Sequence, residues 1–333
     1  MTEREEKVSA GTDEVLVPSW WQRILQARGL SITVSFLLII IISASLSPLF
    51  LTSKNIESAL LVFFVEYAFC TVAETLVLIV RGIDLSLAGI FGLVTICTAL
   101  AYQAGVNIWL ATILGLSLGA ACGLLNGFFV TKIKLPAFIA TMASGLLFTG
   151  TSLGITAGRP ISNFPPEFLW LGQGYLGPFP TQLLVLAVVA VLAHLILTYT
   201  RYGRWLYAIG GNEIAARFSG IPTDRVVLVV FMCSGLLASM AAIITSARFN
   251  LAKADLGINI ELATITAALL GGVSIDGGVG SIPGALLGML AIAALQNGML
   301  LAGATDYVQV MIVSSMLIVL VVFEKYMAQR RIA

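Results

Sequence analysis

The stretch 181–199, TQLLVLAVVAVLAHLILTY, runs its whole length without a formal charge. A run of about 20 apolar residues is what a helix needs to cross the hydrocarbon of a bilayer. It is one of ten. Further candidate spans fall near 31–51, 56–80, 85–104, 106–130, 137–157, 226–246, 260–275, 281–302 and 307–323. Backbone amides in hydrocarbon must be satisfied inside the protein, which leaves helices or closed barrels, and runs of this length select helices. Composition agrees: the chain is 59% hydrophobic and 11% charged, with mean hydropathy +1.00, against about a quarter charged in a soluble domain. The expected fold class is all-α, a polytopic membrane protein of about ten transmembrane helices.

Basic residues orient the spans. With the N-terminus cytoplasmic, 14 of the 18 lysines and arginines fall on the cytoplasmic side, and only Lys54, Arg159, Arg248 and Lys253 lie outside. That bias follows the positive-inside rule and sets both termini in the cytoplasm. Residues 1–30 read as a polar cytoplasmic tail, with an interfacial helix over Pro18 to Arg28 carrying Trp20 and Trp21 at headgroup level. Residues 31–323 form the membrane body and 324–333 a cytoplasmic C-terminal tail. The outer loop from Gly158 to Pro180, rich in Pro, Gly and aromatics, suits a compact structured cap.

Two breaks within the apolar body look related. RGIDLSLAGI (81–90) and GGVSIDGGVGSIPG (271–284) each join two spans and carry an Ile-Asp pair, Ile83-Asp84 and Ile275-Asp276. Interrupted segments at matching places in two halves point to an internal repeat. Asp84 and Ser86 fit a helix start, either as a simple cap or as polar groups facing a water-filled path.

The longest basic hydrophilic segment inside the body is Arg201 to Arg225. Within it Asn212 can cap a helix, and Glu213 suits the positive N-terminal end. Ala215 and Ala216 favour helix, and Arg217 suits the last turn. After Ser219, Gly220 stands where a left-handed C-cap is expected, and Pro222 stops continuation. About two turns of helix cannot stand alone in water. Ile214 and Phe218, four apart, share one face, as in a helix that docks into a groove or rests on its own protein.

Glu66 and Glu74 lie inside the second span, eight residues apart and nearly on one face. Carboxylates at membrane depth are paired, protonated or wet, so they raise a solute path or a proton site. Glu66 near the outer interface also fits plain snorkelling. Asn126, Gln296 and Asn297 can bond between helices or to a hydroxylated solute, with interhelical bonding the simpler role. Gly115, Gly119 and Gly123, at four-residue spacing, allow close helix crossing. Cys70, Cys97, Cys122 and Cys233 read as small core residues, and the single histidine, His194, as packed or hydrogen-bonded. No GxxxxGK[ST] phosphate loop occurs, and none of the six lysines follows a glycine. No metal-binding or hydrolytic pattern occurs either, so the chain reads as neither an ATPase nor an enzyme, with no nucleic-acid partner.

Four stretches then carry a resemblance. RYGRWLYAIGGNEIAARFSGI closely resembles the cytoplasmic loop of ribose-type sugar permeases of bacterial ATP-binding cassette (ABC) importers. RGIDLSLAG is similar to that family's GGIDLSVG, with Arg81 where glycine is usual. CGLLNGFFVTKIKLPAFIATM (122–142) and GGVSIDGGVGSIPGALLG resemble two more of its stretches. The likeness runs in order from about Ile56 to Val322. It departs at Ala263, where the family often has aspartate, at Glu74, where an apolar residue is common, and at Asp276.

The resemblance implies a fold similar to vitamin B12-type importer permeases, in the bacterial inner membrane. It implies a second permease copy or paralogue, cytoplasmic ABC ATPase subunits that bind ATP and Mg, and a periplasmic sugar-binding protein. Residues Asn212 to Gly220 would be the coupling helix, and Asp84 and Ser86 would lie by the translocation path. The expected function is passage of a monosaccharide or small polyol through a lipid-embedded, cofactor-free chain. Glu66, Glu74, Asp84, Ser86, Asn126, Gln296 and Asn297 are the candidate path residues. The alternatives are an ion-coupled transporter using Glu66 or Glu74, a scaffold subunit, and an ABC permease for amino acids or nucleosides.

Overall fold

The structure is a computed structural model that describes residues 28–56 and 61–330. The expected interfacial helix over Pro18 to Arg28 therefore lies almost entirely outside the described residues. Fourteen helices follow in order among those described: α1 Arg28–Leu46, α2 Ser53–Asn55, α3 Leu61–Ile79, α4 Leu87–Gln103, α5 Ile108–Thr131, α6 Ala137–Thr156, α7 Pro166–Gln173, α8 Thr181–Tyr199, α9 Arg201–Gly211, α10 Glu213–Phe218, α11 Thr223–Phe249, α12 Ile260–Leu270, α13 Ile282–Leu301 and α14 Asp306–Arg330. Ten of them match the ten apolar spans. Six are long and apolar enough to cross a membrane, and residues 33–46, 87–103 and 260–270 form shorter apolar helices. The 324–333 stretch read as a tail begins inside α14, which continues unbroken to Arg330.

Local chemistry sets the ends. Pro136, Pro165, Pro180 and Pro222 each stand immediately before a helix, where a fixed φ and a missing N–H cost nothing. Asn107 and Ser281 accept from the backbone N–H of Trp109 and Gly284 and so cap α5 and α13. Asn250 ends α11 in the left-handed conformation, and its side chain accepts from the Phe164 N–H at 2.9 Å. That bond ties α11 to the 158–180 segment, which is structured as expected: strand β1 (Ile161–Ser162), α7, and the hairpin β2–β3 (Tyr175–Leu176, Phe179–Pro180). β1 pairs antiparallel with β4 (Leu251–Ala252), at the end of the bundle opposite α9 and α10.

Helix α11 is the axis of the core and packs against α3, α4, α5 and α7. Its closest crossing is with α5. A Cβ on Gly123 would run into the Phe231 carbonyl and the Gly235 amide, and one on Gly235 into the backbone of Gly119 and Gly123. Without a hydrophobic drive between helices in lipid, such backbone proximity supplies the packing. Apolar side chains of α1, α8 and α14 point outward instead, among them Leu37, Ile41, Val191, Leu195, Ile318 and Val322. That is the pattern of lipid-facing helices around a polar-spotted centre.

The two breaks share one backbone design. After α3, Arg81 N–H donates to the Leu78 carbonyl and Gly82 N–H to that of Val77. After α12, Gly272 and Val273 repeat both bonds to Leu269 and Ala268. Arg81 and Gly272 both take positive φ, 69° and 80°. A non-glycine residue there is strained, so Arg81 carries a cost that Gly272 does not. In this register Asp84 matches Ile275, so the two Ile-Asp pairs are one residue out of step. The repeat lies in the turn, not in the aspartates.

The α5–α11 crossing gives a direct test. Gly235→Leu is expected to destabilise the purified protein by about 3 kcal/mol or more, the upper range of overpacking, read as a lowered thermal-unfolding midpoint in detergent. Retention of the wild-type midpoint would mean that α5 and α11 are further apart than described.

Candidate functional site

Three features converge at one end of the bundle: the first break, the second break and the segment α9–α10. The first break is held from all sides. Asp84 accepts from the Ser86 N–H (3.0 Å), the Ser86 hydroxyl (2.5 Å) and, on its other oxygen, the Ser234 hydroxyl of α11 (2.7 Å). Asn126 of α5 donates to the Ser86 hydroxyl at 2.7 Å, and Thr141 of α6 accepts from the Leu85 N–H at 3.1 Å. Glu74 of α3 accepts from the Asp84 N–H at 3.3 Å. Asp84 thus serves as an Asx-type cap rather than Ser86, whose own side chain makes no capping bond to α4. Glu74, Asp84, Ser86, Asn126, Thr141 and Ser234 all have zero exposure. Of the two roles open to this segment, a cap or the lining of a water-filled path, the bonds give Asp84 the cap; within the chain these groups are enclosed and fasten five helices together.

The second break is anchored from α14. The Ser274 hydroxyl and the Ile275 N–H both donate to Glu324, at 2.5 and 3.2 Å. Ile275 is the counterpart of Asp84, so each break offers the same amide to a glutamate: Glu74 in one half, Glu324 in the other. Sequence reasoning missed Glu324, because a glutamate near a chain end carries no sign of its distant partner.

Between the breaks lies α9, which was not foreseen as a helix. Thr200 caps it by accepting from the Gly203 N–H at 3.2 Å. Gly203, Leu206, Ile209 and Gly210 are buried on one side, while Arg201 and Arg204 are exposed. Its last turn meets both breaks. Gly278 N–H donates to the Ile79 carbonyl at 2.9 Å, and a Cβ on Gly210 would strike that same carbonyl and Gly278. Tyr207 donates its hydroxyl to the Gly280 carbonyl at 2.8 Å. Burial pushes this phenol above its ordinary value, so it stays a donor.

Helix α10 follows directly. Asn212 caps it by accepting from the Ala215 N–H at 3.0 Å. Gly220 takes φ 82°, with its N–H on Arg217 O and that of Ile221 on Ala216 O. Ala216 is buried, whereas Ile214 is 70% and Phe218 88% exposed. Arg217 pairs with Glu213 (3.0 Å) and Asp224 (2.9 Å), and Asp224 also holds Lys134 (2.9 Å) and Lys132 (3.8 Å) of the α5–α6 turn. Each exposed pair contributes little, but three cations on one carboxylate fix the helix against the turn. The Ser219 hydroxyl closes on the Ala215 carbonyl. The result is a rigid platform presenting two apolar side chains to solvent.

The remaining candidates are scattered. Glu66 pairs with Arg248 of α11 at 2.6 Å, at the end of the bundle opposite α10. Asn297 exchanges two hydrogen bonds with Asn55, 2.8 and 3.1 Å. Gln296 lines a small cavity with Tyr67, Asn259 and Ser314, between α3, α12, α13 and α14. The structure therefore gathers Glu74, Asp84, Ser86 and Asn126, and gives Glu66, Gln296 and Asn297 other surroundings outside that cluster.

Comparison with known proteins follows this geometry. Residues 56–322 match the family model described as branched-chain amino acid transport system / permease component. The chain is 39% identical over 293 residues to a ribose import permease protein of Escherichia coli K12, covering 87% of this chain and 91% of that one. It is 32% identical over 297 residues to the D-allose transport system permease protein of the same organism, covering 88% and 90%. An autoinducer 2 import system permease protein of Photorhabdus luminescens is 33% identical over 236 residues, 69% of this chain and 70% of the relative. No solved structure matches the chain.

Asp84→Leu strands three donors that face a carboxylate in the present core. Each buried unsatisfied group costs about 1–3 kcal/mol, so this variant is expected to lose several kcal/mol, and Asp84→Asn much less. Thermal unfolding of the purified variants checks this, and equal midpoints for both would show that the three bonds do not hold the break.

Proposed function

The chain belongs to the family of branched-chain amino acid transport system / permease components, and we propose that it is the permease subunit of an ABC importer for a monosaccharide or small polyol. It is a transport subunit and not an enzyme. The work comes from ATPase subunits that bind ATP and Mg; this chain supplies a conduit and a handle. The observation that carries the reading is α10, a capped two-turn helix braced from behind, with Ile214 and Phe218 turned to solvent. Two exposed apolar anchors four residues apart are what a hydrophobic groove on a partner grips. The sugar class rests on the ribose and allose permeases among its relatives.

In this reading the end carrying α9, α10, the start of α1 and the end of α14 faces the cytoplasm, in keeping with the distribution of lysine and arginine. ATP binding draws the partner ATPases together and displaces Asn212 to Gly220. The displacement reaches Gly210 and Gly211, and from there the Ile79 carbonyl and Gly278. Both breaks move together because α9 is wedged against both. Glu74, Asp84, Ser86 and Asn126 keep the first break rigid enough to transmit that motion to α3, α4 and α11. A second permease copy or a paralogue completes the pathway, and a sugar-binding protein docks at the opposite end, near the 158–180 cap. An ion-coupled reading is disfavoured: Glu66 is occupied by Arg248, and Glu74 is walled in.

Ile214→Asp combined with Phe218→Asp tests the handle. Both side chains are exposed, so the change in fold stability should stay within about 0.5 kcal/mol. Loss of two apolar anchors, each about 2 kcal/mol at a docked interface, is expected to abolish uptake and binding-protein-stimulated ATP hydrolysis in reconstituted vesicles. Unchanged uptake with this double variant would remove the docking role.

A further inference from the structure

At the end of the bundle opposite α10, a cavity of about 290 Å³ opens beneath the β2–β3 hairpin, between the end of α7, the first turn of α8 and the end of α11. Its wall holds Gln182, Gln173, Tyr175 and Arg248. Gln182 is only 2% exposed, and its Oε1 has no hydrogen-bond partner. A buried amide oxygen left unmatched costs free energy unless something visits it. Gln173 is fixed on the rim, its amide donating to the Arg248 carbonyl at 2.8 Å. Arg248 is oriented by Glu66 at 2.6 Å and lies over the Phe249 ring, 4.2 Å from its centroid.

The charge arithmetic of this wall narrows the visitor. Glu66 neutralises Arg248, so the cavity offers no net attraction to an anion or a cation. What remains is a buried acceptor, Gln182 Oε1, in the same wall as the Arg248 side chain. A hydroxyl can donate to the first and accept from the second, and adjacent hydroxyls can do both. Tyr175, 56% exposed on the rim, supplies an aromatic surface for the C–H side of a ring. The volume sits at the small edge of ligand sites, about 300–1,000 Å³, which suits one sugar ring.

We propose that this cavity is a receiving site for a neutral polyhydroxylated solute, built around Gln182 and Arg248, that holds the cargo before it enters the conduit. The site rests on the importer reading above and adds a solute contact inside the permease itself.

The test uses the complete permease–ATPase complex in lipid nanodiscs without binding protein, with D-ribose, D-allose and ribitol as probes and L-glutamate as a charged control. Saturation-transfer NMR is expected to give signals from at least one neutral probe and none from glutamate. Gln182→Met, which removes the acceptor and keeps the volume, should raise the apparent Kd about five- to tenfold, the worth of one hydrogen bond. Tyr175→Ala, on an exposed rim where folding is not at risk, should weaken the same signals. Binding-protein-stimulated ATP hydrolysis by the same nanodiscs reads the importer function separately. Active hydrolysis with no neutral-probe signal, or with signals unaltered by Gln182→Met, overturns the site alone. Absence of hydrolysis in the unaltered complex overturns the importer reading and the site with it.

Discussion

The hydrogen bond from Gly278 to the Ile79 carbonyl joins two breaks that are about 200 residues apart in sequence, and α9 presses against that same carbonyl. No side chain fits there. Gly210 brings its backbone against Ile79 and Gly278 because it lacks a Cβ, and Gly278 adopts φ 71°, which glycine takes at little cost. Three parts of this end of the bundle meet at or beside this point: the end of α3, the turn after α12, and the start of α10 three residues after Gly210. Helix α10 therefore follows directly on a junction that contacts both breaks.

The breaks differ in how they are held. The first is clamped by buried polar groups from α3, α5, α6 and α11, and it gives a carboxylate three donors at membrane depth. Burying a carboxyl group in this way is tolerated only with such bonding. The second is longer and glycine-rich, and it is held by Glu324 of α14, by the Tyr207 hydroxyl on Gly280 and by the bond from Gly278 to Ile79.

Much of this was legible in the residues. Hydropathy located the ten helices that match apolar spans, because in lipid the apolar run and the spanning helix are the same constraint. The caps of α10 were legible because Asn212 and Gly220 act on backbone only a few residues away. Partners remote in sequence were not. Nothing near Glu66 announces Arg248, and nothing near Asp84 announces Ser234. Helix α9 was hidden for another reason: glycines at 203, 210 and 211 argue against a helix in isolation, and close packing on the breaks overrides that preference. The same distance rule applies to Asp84, whose sequence context suggested a cap or a polar face toward water, and whose partner Ser234 on α11 is 150 residues away.

The central claim is that motion of the exposed handle reaches the conduit through the glycine junction. Gly278→Ala, in a transporter reconstituted with its ATPases and binding protein, tests this most directly, because the added methyl meets Gly211 without touching Ile214 or Phe218. With assembly confirmed by size-exclusion chromatography, ATP hydrolysis should persist while sugar uptake per ATP falls at least tenfold. Uptake per ATP equal to wild type in the assembled variant would contradict the account.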